Sequence, residues 1–190
     1  MSPDGKYGVI YADSDEVGDE VARDFLVALK PFRILAANEG RAYRTYHGYS
    51  RDGMTVEWAK DSSAALVTVE GKWGPVGFTL FELHDGRVTR QTDLFPQIER
   101  LLQPGLQQAK IKSVASYVEA SSGGVGITLE ENDSHIDADG RRIHFDLSGT
   151  SNPKPMEPPI DTWHGHLEAV WSIPEARWLT HKLTNHTDRQ

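Results

Sequence analysis

The chain has 190 residues, a formal charge of −8 and a pI near 5.4, so it suits one domain or two small ones and lacks the basic surface that nucleic acids and anionic membranes attract. Its 38% hydrophobic and 25% charged residues are ordinary for a folded protein, and no apolar run approaches the roughly 20 residues of a membrane-spanning helix. The absence of cysteine excludes disulfides, thiolate zinc sites and a cysteine nucleophile.

Ser2-Pro3-Asp4-Gly5 reads as a tight polar turn feeding a first strand over 6–11. Aspartate accepts hydrogen bonds from the backbone just ahead of it, and glycine supplies turn geometry that a Cβ obstructs. The acidic stretch from Ala12 to Asp24 is expected as a solvated loop, since its carboxylate spacing matches no recognised calcium loop. Leu26–Leu29 and Phe32–Leu35 predict a hairpin turned at Lys30-Pro31, where proline removes a ladder donor. Strands are expected at Thr55–Trp58, Ala64–Glu70 and Val76–Leu83, with His84-Asp85-Gly86 turning the last into Arg87–Gln91. Apolar residues at both parities of 64–69 and 76–83 predict burial on both faces.

The middle of the chain has a helical period. Asp93 is placed to cap it, Pro96 fits the first turn, and Ile98, Leu101 and Leu102 form an apolar stripe. Pro104-Gly105 is expected to kink or break the helix, with a second helical stretch from about Leu106 to Glu119. Ser121-Ser122-Gly123-Gly124 is the best internal boundary. The organisation expected is therefore a β meander over 1–94, a helical connector over 95–120 and an antiparallel sheet over 121–190.

The last third alternates most cleanly. Val125, Ile127 and Leu129, then Ile143, Phe145 and Leu147, then Leu167, Ala169 and Trp171 each alternate with polar neighbours. That pattern marks a sheet with one dry and one wet face. A final strand is expected from Trp178 to Leu183, and Ser151–Asp161 as a proline-rich surface loop. By parity His181 belongs with Leu179 and Leu183, as a core histidine.

A degenerate copy of the first turn, Lys60-Asp61-Ser62-Ser63, precedes the strand at Ala64. Ser2-Pro3-Asp4-Gly5 and this copy resemble the repeat turns of TolB-like and related β-propellers. The resemblance covers these two segments and implies a propeller-like turn scaffold of the kind that serves binding. A closed propeller needs at least about four blades of roughly 40 residues; here the two turn copies start 57 residues apart, at Ser2 and Ala59, and the later half changes character, so a complete propeller is not expected. A turn starting at residue 2 also leaves no room for a preceding strand. The expected location is therefore periplasmic or secreted with a leader removed, with cytoplasmic as the alternative.

Six of the eight histidines follow residue 134, which places any metal chemistry in the last third. On a strand His164, His166 and Glu168 share a face, and His144 and Asp146 take the corresponding face of another strand. Two imidazoles and a carboxylate suit zinc or iron and leave a position for water. Asp137-Ala138-Asp139-Gly140 resembles part of a calcium loop, but flanking strands make it a hairpin turn. Gly48-Tyr49-Ser50-Arg51-Asp52 is half a nucleophile elbow, lacking the closing glycine. In 41–51, Tyr43, Arg44, Tyr46, His47 and Tyr49 combine flat faces with donors, as sugar, peptide or anion sites do.

The fold class expected is β-dominated α+β, two antiparallel meanders joined by a broken helical segment. The function expected is non-catalytic binding of a small molecule, glycan or protein, with no cofactor. The alternative is a metal-dependent hydrolase or oxygenase using zinc or iron on the C-terminal sheet.

Overall fold

A computed structural model describes residues 1–11, 24–38, 51–71, 74–109, 127–151 and 162–188. It is a β-dominated α+β fold, as expected, with three antiparallel sheets and one described helix. Sheet one has the order β1 (Tyr7–Ile10), β2 (Phe25–Leu29), β3 (Phe32–Ala37). Sheet two runs β4 (Arg51–Trp58), β5 (Ala64–Gly71), β6 (Gly74–His84), β7 (Arg87–Asp93). Helix α1 (Phe95–Ala109) follows, and then sheet three, in the order β11 (Arg177–Asp188), β10 (Thr162–Ser172), β9 (Arg142–Thr150), β8 (Thr128–Ile136). Every sheet is a meander of sequence neighbours. The chain forms two compact units, one of Met1–Lys72, Val76–Phe95 and His135–Arg142, the other of Trp73–Pro75, Pro96–Ser134 and Ile143–Gln190.

In the first unit the β2–β3 hairpin turns at Lys30-Pro31 as expected. Leu26 of sheet one shares a buried cluster with Ala65, Val67, Phe81 and Leu83 of sheet two. Residues 64–69 are buried at every position, because β5 lies inside its sheet and apolar side chains leave from both of its faces.

Three turns of this unit are built alike. The amide of the first residue donates to the carbonyl five residues on (Ser2 to Tyr7, 3.0 Å; Ala59 to Ala64, 2.9 Å; Asp137 to Arg142, 3.0 Å). The fourth residue's amide returns to the first carbonyl (Gly5 to Ser2, Ser62 to Ala59, Gly140 to Asp137) and has a positive φ of 68°, 62° and 69° respectively. An aspartate stands third each time: Asp4, Asp61 and Asp139 accept the amides of Lys6, Ser63 and Arg141 at 3.1, 2.9 and 2.9 Å. The third copy is the hairpin tip at 137–140, read from sequence as a turn but not as a relative of the other two. The copies also touch, since the Asp4 amide donates to Ser62 Oγ at 3.2 Å, and a Cβ on Gly140 would lie 3.2 Å from Ala59 Cβ.

Desolvation works against ionising Asp4, yet hydrogen bonds from Ser2, Lys6 and Ser62 outweigh it and hold the carboxyl at about 2.

In the second unit Ile98, Leu102 and Leu106 bury the apolar stripe of α1; at the helix start, within the first unit, Asp93 Oδ1 accepts the Phe95 amide at 3.2 Å as the capping residue. The helix does not break at Pro104-Gly105 but continues to Ala109. Packing explains the glycine: a Cβ on Gly105 would sit 2.9 Å from Leu183 Cδ2 and 3.0 Å from Trp163 Cζ2, so the helix reaches sheet three only with that atom missing. The Trp163 indole also meets Gly165, where a Cβ would lie 2.1 Å from Cη2. Two glycines thus pack against one fully buried indole.

Odd positions 127, 129, 143, 145, 147, 163, 167, 169 and 171 are buried as the alternation predicts. The last strand is longer than expected, reaching Asp188. His181 is a correction: it is exposed, not core. It lies on β11, an end strand of the sheet order, opposite Ala169 of β10, and at an end strand parity alone does not bury a side chain.

Candidate functional site

The face of sheet three opposite the indole carries the polar side chains of all four strands. In the β10–β11 register His164 stands opposite His186, Thr162 opposite Asp188, His166 opposite Thr184 and Glu168 opposite Lys182. Directly opposed residues project on the same side of a sheet and diagonal neighbours remain within reach of long side chains. His164 and His186 therefore stack, with ring centroids 4.9 Å apart and planes 12° apart. Asp188 joins them: its Oδ2 is 3.3 Å from His164 Nε2 and its Oδ1 is 3.9 Å from His186 Nε2.

His166 turns the other way, toward β9. Its Nε2 lies 3.4 Å from Asp146 Oδ1 and 4.0 Å from Glu168 Oε1, while its Nδ1 is 3.4 Å from Ser148 Oγ. Glu168 is also held by Lys182 Nζ at 3.3 Å. The structure thus separates the two histidines that the sequence grouped, each facing a different neighbouring strand. His144, half-buried on β9, is outside the groove described next.

A shallow groove of about 360 Å³ crosses this face. Glu130 of β8, Ser148 of β9, His164 and His166 of β10, and Thr184 and His186 of β11 line it. Among the described residues, one set of three metal-ligating side chains gathers its donor atoms within 4.8 Å of one another: His164, His186 and Asp188.

The aromatic group Tyr43, Arg44, Tyr46, His47 and Tyr49 lies outside the described residues, as do Ser50 and the acidic segment over 12–23. Asp137 and Asp139 are engaged in their own hairpin, accepting the amides of Arg141 and Arg142. Sequence reasoning missed Glu130, Ser148, Thr184, His186 and Asp188. One signal was present: His186-Thr187-Asp188 repeats the polar-x-polar spacing of His164-Gly165-His166, but a strand ending at Leu183 kept it out of the sheet.

No protein-family model matches the chain, and no curated protein does.

Proposed function

We propose that this is a non-catalytic binding protein whose ligand, a small polar molecule, lies in the groove across sheet three. The observation that carries the reading is the lining itself. Hydroxyls of Ser148 and Thr184, three imidazoles and the Glu130 carboxylate converge from four strands on one depression. Its volume falls near the lower end of the roughly 300–1,000 Å³ typical of ligand sites. Donors and acceptors of both kinds fit a hydroxylated or zwitterionic molecule. The test is a ligand screen by NMR on metal-free protein. Shifts should fall on the groove, and Ser148→Ala with Thr184→Val should weaken binding at least about tenfold, one or two hydrogen bonds' worth. Shifts mapping elsewhere, or unchanged affinity, remove the groove from the account.

A second reading rests on His166, which is braced between a hydroxyl and a carboxylate. Hydroxyl, imidazole and carboxylate in line are the parts of hydrolytic proton transfer, so the alternative is a hydrolase acting in the same groove. Turnover of 4-nitrophenyl acetate that disappears in His166→Gln would favour it over simple binding.

A further inference from the structure

We infer that His164, His186 and Asp188 form a site for a divalent first-row transition-metal ion of the zinc type, held between β10 and β11. The inference goes beyond the groove reading and stands whether or not the groove takes an organic ligand.

The register supplies the geometry. An antiparallel pair places His164 against His186, and the residue two beyond His186, Asp188, is the diagonal neighbour that reaches back to His164. Stacking orients both rings alike, so each Nε2 faces the same carboxylate. The shorter of the two imidazole–carboxylate spacings fits donors gathered around one ion. Charge-assisted N–H···O bonds close to about 2.7–2.9 Å, whereas donors of a tetrahedral ion with bonds of about 2.0–2.1 Å stand about 3.3 Å apart. His164 Nε2 and Asp188 Oδ2 are 3.3 Å apart. His186, the most exposed of the three at 69%, stands 3.9 Å from Asp188 Oδ1 and would turn its ring to close on the ion.

The donor set selects the ion. Two imidazole nitrogens and one carboxylate oxygen suit zinc and its neighbours, while calcium and magnesium take oxygen ligands almost exclusively. Three protein donors leave the fourth position of a tetrahedral ion to water or to a donor atom from a molecule in the groove, which His164 and His186 also line. His166 is not part of the set, because Asp146 and Ser148 draw its ring toward β9.

The experiment is calorimetric titration of metal-free protein, purified without a histidine tag, with Zn²⁺ and in parallel with Ca²⁺. One Zn²⁺ per chain is expected, with Ca²⁺ at least a hundredfold weaker. His164→Ala, His186→Ala and Asp188→Asn should each weaken Zn²⁺ at least tenfold. His181→Ala, an exposed histidine on the same strand, should leave affinity unchanged, and circular dichroism checks that each variant is folded. Absence of a stoichiometric Zn²⁺ site overturns the inference, as does an equal loss in His181→Ala, which would mean a diffuse histidine surface. A tenfold loss in His166→Ala overturns it too, since the ligands would then run along β10 instead of across the strand pair. Because the ligand screen uses metal-free protein, failure of the groove reading registers separately.

Discussion

Gly165 lies between the two groove histidines of β10, and its role is to let the Trp163 indole fold back along the strand on the dry face. Consider Gly165→Ala. The added Cβ would lie 2.1, 2.4 and 3.0 Å from three atoms of the ring, where carbons in contact stand about 3.5–4.0 Å apart. The ring would have to move by well over an ångström. It is fully buried, and Gly105 of α1 already approaches it from the helix side. Among the described residues its Nε1 has no hydrogen-bond partner, so packing alone holds it.

Overpacking a tight core costs about 1–3 kcal/mol, and displacing a buried tryptophan outright about 3–5. We expect about 3 kcal/mol. Trp163→Leu alone should cost about 2–4 kcal/mol through the cavity it leaves. The double variant should cost no more than Trp163→Leu by itself, because the methyl then occupies space the indole has vacated. The coupling is therefore at least about 3 kcal/mol, the whole cost of Gly165→Ala, far outside the ~0.5 kcal/mol within which independent sites add. Urea unfolding followed by tryptophan fluorescence measures all three, with midpoint shifts of about 1 M expected for the single variants. A Gly165→Ala protein within ~0.5 kcal/mol of the parent, or additive behaviour in the double variant, would refute the packing argument.

Pro104 is exposed inside a continuous helix, so Pro104→Ala restores a backbone donor and should stabilise by about 1–2 kcal/mol after the lost chain restriction is subtracted; thermal unfolding should move up by about 2–8 °C, and an unchanged or lower midpoint contradicts this. Gly140 combines a φ of +69° with a tight approach to Ala59, so Gly140→Val should cost at least about 2 kcal/mol by strain and crowding together, read by chemical denaturation. Asp4 is held at about 2, below its ordinary 3.8. Its contribution is present above that ordinary value and is lost as pH falls from about 4 through about 2; discounted for exposure, it amounts to about 1 kcal/mol. Asp4→Asn should therefore flatten stability against pH across that window, and an unaltered profile would show the hydrogen bonds to be energetically idle.

Much of the fold was legible because strand and turn signals are local. Alternation of apolar residues over 127–129, 143–147 and 167–171 identified the dry face of sheet three residue by residue, since successive side chains must leave a strand on opposite sides. Aspartate followed by a residue of positive φ marked the turns. His164 and its polar face were readable for the same reason, as were the capping by Asp93 and the stripe at Ile98 and Leu102.

Pairing was decided elsewhere. No local pattern states that His164 stands opposite His186, or that His164 and His166 turn toward different strands; register is a property of two distant segments. The helix passing through Pro104 and the exposure of His181 likewise depend on neighbours, the first on packing of α1 against Trp163 and Leu183, the second on where an end strand runs. Local alternation was enough to show which side chains face water along β9 and β10; which of them meet was left to the tertiary structure, because meeting depends on distances between strands and not along them.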